Sequence, residues 1–287
     1  MNSYKKLLVN LKANIRNILP ISIKLFAERL RSIPNYLKWK KDKKFGKNNF
    51  INNTKDLKGK FKNKRCIIIG NGPSLNKLDL SLLKDEYTFG LNRIYLLFEK
   101  LGFETDFLVS INRFVIEQFA HEMELTKCKK FFHYKYRKYI SEKDASFVAE
   151  NIYRRNFFSN PDKGFLSYTG SVSFLAIQLA LYFGVSEIIL VGFDNNFKNS
   201  GPSDKAITSK KNDVDHFDKN YFGKGVVWQL PNYNALEYGF KIVEKYFNNN
   251  NNEKNIINCT VGGELENFDR KDLSLHLKDS KFGNKKM

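Results

Sequence analysis

A chain of 287 residues with 42% hydrophobic and 15% aromatic residues can bury a sizeable core, which excludes a disordered polypeptide. Its net charge of +19 is unevenly placed: residues 1–65 hold 19 of the 49 Lys+Arg and only three acids (Glu28, Asp42, Asp56), a net +16, and the rest is nearly neutral at +3. A nucleic-acid-binding domain spreads basic charge over its fold, no apolar run reaches the roughly 20 residues of a bilayer span, and Cys66, Cys128 and Cys259 form no CxxC pair.

The N-terminal residues come first in chain order. Leu8, Leu11, Ile15 and Ile18 recur at helical spacing, and after Pro20 the pattern restarts at Ile23, Phe26, Ala27 and Leu30, with Lys and Arg between. The spacing predicts two short basic amphipathic helices over residues 1–40. Such helices lie in the headgroup plane of an anionic membrane, or dock their apolar faces on the rest of the chain. Trp39 and the lysines from Lys38 to Lys47 add to the membrane reading. The extension lacks interleaved stacking aromatics, so nucleic acid is not an expected partner. Residues 41–64 are rich in Lys, Asn and Gly without periodicity and read as a linker.

From residue 65 the chain alternates strand and helix patterns. Cys66 to Ile69 is a short apolar run of the kind a buried parallel strand requires. Further strands are predicted at Tyr87 to Leu91, Phe107 to Ile111, Lys130 to Tyr134, Glu187 to Val191 and Ile256 to Cys259. The clearest helical patterns are Val172 to Phe183 and Asn232 to Phe247. This alternation predicts one α/β, Rossmann-like domain over 65–287, with a mainly parallel sheet and helices on both faces. Ligands of such sheets bind beyond the carboxyl ends of the strands. Those ends carry Gly70-Asn71-Gly72-Pro73-Ser74, Asn92, Asn112, and Asp194, while Thr169-Gly170-Ser171 opens the Val172 helix. Glycines let backbone amides approach a phosphate, although a strand-to-helix turn also needs them for geometry. Amide side chains can read a base or ribose without adding charge. Asp194 is placed to hold a ribose, a substrate hydroxyl or a metal, or to cap the next turn.

The segment Ile67 to Leu75 resembles the opening of the family 42 bacterial sialyltransferases and equally that of the MptE-like family. Phe89 to Tyr95, Thr105 to Asn112, Thr169 to Ser173 and Ile188 to Asp194 continue the likeness in order. The sialyltransferase likeness implies a Rossmann-like site for a CMP-linked nonulosonic acid, the glycine turn against its phosphate, Asn92 and Asn112 on the nucleotide, and a histidine base before the last helix. The histidine in that segment is His216. Two departures are visible: His216 lies farther from the following helix than the family histidine does, and Asn195, Asn196 and Phe197 stand where the family has paired tyrosines. Tyr221 and Lys224 are the residues expected to neutralise a leaving phosphate in their place.

The expected activity is therefore an inverting glycosyl transfer from a nucleotide sugar to a glycan or glycolipid acceptor. His216 serves as general base, since an ordinary imidazole titrates near neutrality; residues 198–225 are expected to form a mobile lid. No obligatory cofactor is expected. The MptE-like alternative, transfer of diphosphate from ATP to a pterin alcohol, calls for Mg²⁺ and for carboxylates such as Asp194 and Asp79. A non-catalytic scaffold of glycan biosynthesis is the third reading. His133 follows an aromatic strand, where it can contact a ligand, but a satisfied place in the core is the expected role. The unpaired cysteines point to a reducing cytoplasm, peripheral on the inner membrane face, and a homo-oligomer is compatible with the sequence.

Overall fold

The computed structural model describes residues 20–141, 145–152, 160–167, 171–199, 201–249 and 254–285. Seven strands form one parallel sheet: β1 (Arg65–Ile69), β2 (Tyr87–Leu91), β3 (Phe107–Ser110), β4 (Lys129–His133), β5 (Ala145–Val148), β6 (Glu187–Val191) and β9 (Asn255–Asn258). Their order is β5-β4-β3-β2-β1-β6-β9, and β7 (Ala206–Thr208) pairs antiparallel with β8 (Val227–Gln229) apart from it. The α/β, Rossmann-like class read from the alternation is thus the observed one.

The apolar run of β1 is explained by burial on both faces, Cys66 to Ile69 being inaccessible. Cys66 and Ile68 point to one core, with Phe89, Phe107, Phe131 and the helix Val172–Tyr182. Ile67 and Ile69 point to the other, with Leu75, Ile94, Leu97 and Val115. The Val172–Tyr182 helix is apolar on every side because all eleven of its residues are buried. Its one amide, Gln178, is fully satisfied: Oε1 accepts from Leu166 N and Nε2 donates to Leu166 O, both at 2.8 Å.

The N-terminal segment departs from expectation. A single helix, α1 (Ile21–Lys44), runs through Pro34, and α2 (Phe50–Thr54) follows it. The first expected helix lies outside the described residues. Residues 41–64 are no linker: Phe50, Leu57 and Phe61 belong to the core and Thr54 is fully buried. Trp39 is also fully buried, so it is no membrane anchor. Its Nε1 donates to Phe147 O at 2.8 Å, and Asn48 Nδ2 donates to the same carbonyl at 3.1 Å. Asn53 Nδ2 reaches Ser146 Oγ at 3.1 Å. The segment straps the open edge of β5, where unpaired backbone groups would otherwise invite another strand. At the opposite edge Asn258 of β9 bridges to Arg270. Periodicity missed the strap because its buried residues contact a strand edge, where no regular face is required.

The described residues near 198–225, expected as a mobile lid, include a packed cap. Phe217, Tyr221 and Phe222 are buried with Trp228 of β8. Phe217 N donates to Asn71 O at 3.0 Å and Asn76 Nδ2 to Phe217 O at 2.8 Å, tying the cap to the glycine turn. Arg93 lies with its guanidinium 3.6 Å from the Phe119 ring centroid and donates to Asn220 O at 3.1 Å and to Tyr221 O.

Truncating the strap's anchor should be costly. Trp39→Ala is expected to lower stability by about 3–5 kcal/mol, the usual range for a buried tryptophan, read from urea unfolding. Removal of residues 1–63 should abolish cooperative unfolding altogether, because Phe50, Leu57 and Phe61 leave with it.

Candidate active site

The order of strands reverses at β1, which is flanked by β2 on one side and β6 on the other. Chain segments leave these strand ends in opposite directions and open a crevice between them, the usual ligand position in open parallel sheets. A cleft of about 520 Å³ lies there, walled by strand-end residues, by the cap and by Arg31, Ser32 and Asn35 of α1.

The glycine turn after β1 is built for close backbone approach. Gly70 N donates to Val191 O at 2.8 Å and Gly72 N to Gly192 O at 2.9 Å. A Cβ on Gly70 would lie 2.3 Å from Gly192 O, and one on Gly72 only 1.7 Å from Asp194 Oδ2. Ser74 donates its amide to Asp194 Oδ1 at 3.1 Å and its hydroxyl to Oδ2 at 2.6 Å. The expected phosphate cradle is therefore corrected: the anion on this turn is the chain's own Asp194, and Pro73 carries no N–H. Neither Pro73 nor Ser74 lines the cleft. Asn71 does, and its Oδ1 is buried without a hydrogen-bond partner, which leaves it for a ligand donor.

Asn92 and Asn112 both line the cleft, each with its oxygen committed. Asn92 sits at φ +50° after β2, and its Oδ1 accepts from Ser110 Oγ at 3.0 Å. Asn112 caps the helix Arg113–Glu124, Oδ1 accepting from Phe114 N at 2.9 Å and Val115 N at 3.2 Å. Their amide nitrogens remain for a bound molecule. Ser171 lines the cleft and caps the Val172–Tyr182 helix. Thr169 and Gly170 lie outside the described residues.

His216 and Tyr221 enter the cleft from the cap. His216 Nδ1 lies 2.8 Å from Asp213 Oδ2, an acceptor that fixes the ring proton on Nδ1 and leaves Nε2 to accept. The imidazole stacks on Tyr221, centroids 4.0 Å apart and planes 3° from parallel. Burial works against Asp213 ionisation, but the His216 hydrogen bond and charge, with amides of Asp215 and Phe222, outweigh it and hold the carboxyl below its ordinary value. Burial pushes the Tyr221 phenol well above its ordinary value, so its hydroxyl keeps its proton and can donate. Lys224 is a correction: it is exposed on the cap and does not line the cleft. The cations that do are Arg31, Arg113 and Lys135.

The wall beyond β4 and β5 departs from the preferred sequence reading of His133 and adds Glu150, which that reading missed. His133 lines the cleft instead of the core, its Nδ1 accepting from Lys135 N at 3.0 Å. Glu150 follows β5, a strand of four residues too short to announce itself. Burial raises the Glu150 carboxyl, but His133, whose Nε2 lies 3.9 Å away, and the Ser32 hydroxyl outweigh it and hold the group below its ordinary value. Asp213 could have been found from its three-residue spacing to His216. The α1 residues carry no sequence signal, since their role depends on how the helix docks.

The carboxylates expected to serve Mg²⁺ in the diphosphate-transfer alternative are engaged by the protein's own groups. Asp194 is held by Ser74, and Asp215 by the backbone amides of Lys198 and Asn199. Asp79, outside the cleft, caps a 3₁₀ turn through Ser81. Among the described residues no three His, Cys, Asp or Glu side chains gather as metal ligands.

Comparison with known proteins places the chain. The family model described as "6-hydroxymethylpterin diphosphokinase MptE-like" matches residues 43–200, more than half of the chain, which belongs to that family. No curated protein matches it. Among solved structures, that of the MAf glycosyltransferase from Magnetospirillum magneticum AMB-1 is similar over 82% of this chain and 40% of that one, at 14% identity and a TM-score of 0.49.

The close approach at the switch point has a direct test. Gly72→Ala must displace the Asp194 carboxylate from Ser74 and is expected to cost about 1–3 kcal/mol, as overpacking does, measured by urea unfolding.

Proposed function

We propose that this member of the MptE-like family is an inverting glycosyltransferase that takes a nucleotide-activated sugar in the switch-point cleft. The observation that carries the reading is the Asp213–His216 pair, a carboxylate-oriented imidazole facing a cleft rimmed with amide side chains. An acceptor hydroxyl gives its proton to His216 Nε2 as its oxygen bonds to the anomeric carbon. The bond from that carbon to the phosphate oxygen breaks, and the phosphate leaves with the electron pair. Inversion follows from attack opposite the leaving group. Asn71, Asn92 and Asn112 are the residues that would hydrogen-bond the nucleotide, and Asp213 positions the base.

The donor assigned here is a CMP-linked nonulosonic acid, in keeping with the sialyltransferase likeness, and the acceptor a glycan or glycolipid. Such a donor brings a carboxylate and a phosphate into one site. Arg113, Lys135 and the protonated Tyr221 hydroxyl replace the expected glycine-turn amides and Lys224 as groups that meet this charge. Proton transfer and charge stabilisation are supplied by side chains in this scheme, and it calls for no metal.

A thermal-shift screen with CMP, CDP, UDP, GDP and ATP is the primary test. A nucleotide at 100-fold its dissociation constant should stabilise the protein by about 2.7 kcal/mol. Stabilisation by CMP is the expected result; a response to ATP only with Mg²⁺ would point to diphosphate transfer, and silence throughout to a scaffold. Asn92→Ala should weaken nucleotide binding by about 1 kcal/mol, the net worth of one hydrogen bond.

The base is tested by rate. His216→Ala should lower transfer by about 10²–10⁴-fold with nucleotide affinity unchanged. Asp213→Asn should lower it in the same direction, because an amide cannot hold the ring in the same tautomer. Near-native transfer by His216→Ala would remove it as the base.

A further inference from the structure

We propose that the outer face of α1 docks on an anionic lipid bilayer. The helix has two opposed faces. Ser32, Asn35, Tyr36 and Trp39 point inward, the first two lining the cleft and the last two entering the core. Ile23, Phe26, Leu30 and Leu37 fall within about 60° of arc on the other side, at 3.6 residues per turn. These four are 47%, 62%, 52% and 52% exposed. The stripe is about 21 Å long at 1.5 Å per residue. Large apolar side chains gathered in one stripe of a helix mark a surface that meets something other than water.

Charge identifies the occupant. Lys38, Lys41 and Lys44 are exposed beside and beyond the stripe, and Lys40 and Lys47 stand exposed nearby. Asp42, an acid of the same helix, faces inward, its carboxylate accepting from Tyr134. An apolar stripe that runs into a field of cations matches a bilayer whose hydrocarbon begins beneath anionic headgroups. Among the described residues no helix is long and apolar enough to cross a membrane, so α1 would lie in the interface plane. Its inner face would then hold the cleft wall about one helix diameter, 10–12 Å, from the headgroups. Delivery of a lipid-linked acceptor to the cleft rests on the transferase reading; the docking itself does not.

The test uses the full chain and vesicles of phosphatidylcholine alone or mixed with phosphatidylglycerol, read by co-sedimentation. The native chain should bind the mixed vesicles and be released by salt, since the Debye length is about 3 Å at 1 M. Phe26→Glu/Leu30→Glu should bind them at least about tenfold more weakly while its melting temperature and nucleotide affinity stay native. Lys38→Glu/Lys41→Glu should lose the preference for phosphatidylglycerol. Native chain that ignores both vesicle types overturns the proposal, and so does native-like binding by Phe26→Glu/Leu30→Glu, which would place the attachment elsewhere. A native dimer that this variant converts to monomer, without vesicle binding by either, would assign the stripe to a second copy. Every readout is independent of transfer, so failure here leaves the transferase reading to its own test.

Discussion

The contact between the carboxyl ends of β1 and β6 governs the rest of the molecule. Two backbone amides of the glycine turn bond to carbonyls at the end of β6, and no side chain fits between them. Asp194 can then reach across and hold Ser74 by two hydrogen bonds. That arrangement sets the 3₁₀ turn after Gly72, places Asn71 against the cleft and offers the Asn71 carbonyl to Phe217 of the cap. The position of His216 is therefore inherited, through three short steps, from a spacing between two strands. A glycine-rich turn at such a place is commonly read as a phosphate cradle. Here the amides of Gly70, Gly72 and Ser74 are occupied by protein, and the polar side chains of Asn71, Asn92 and Asn112 are turned to the cleft.

How much of this was legible in the sequence follows from what each feature depends on. β1 and β6 were readable because strands buried on both faces are apolar over most of their length, Cys66 to Ile69 and Ile188 to Val191 here. The Val172–Tyr182 helix was readable for the related reason that it is surrounded. β5 was not: it has four residues, and its outer edge is covered by hydrogen bonds from Trp39 and Asn48 that lie a hundred residues away in the chain. Segment 41–64 looked like a linker because its buried residues, Phe50, Leu57 and Phe61, are separated by solvated lysines and asparagines without a period. For the cleft, strand-end reasoning located Asn71, Asn92, Asn112 and Asp194. It could not distinguish a ligand contact from a cap, since Asn112 and Asp194 are chemically suited to both. Only the distances separate those roles.

Electrostatics in the cleft follow the same division between committed and available groups. Asp213 and Glu150 are carboxylates held ionised by partners despite burial, each beside a histidine. They offset the positive charge of Arg31, Arg113 and Lys135 without approaching one another as a metal site would require. Of the basic residues concentrated in the first 65, Arg31 of α1 lies at the cleft wall, while Lys38, Lys41 and Lys44 are exposed on the outside of the same helix.

The strap over β5 also has a consequence for the order in which the molecule is assembled. Trp39 and Phe147 are 108 residues apart, yet the indole of one closes the edge formed by the other. During synthesis α1 and α2 leave the ribosome long before β5 exists, so Trp39 and Phe50 have no edge to cover while β1 to β4 are being made. Contacts this distant in sequence form late, after the loop-closure entropy between them has been met by other structure. The part of the chain made first is thus among the last to settle. Until it does, the nascent sheet carries an uncovered strand and the free segment carries the aromatic side chains that will cover it. The interval in which the chain can pair wrongly with its neighbours is set by the arrival of residue 148.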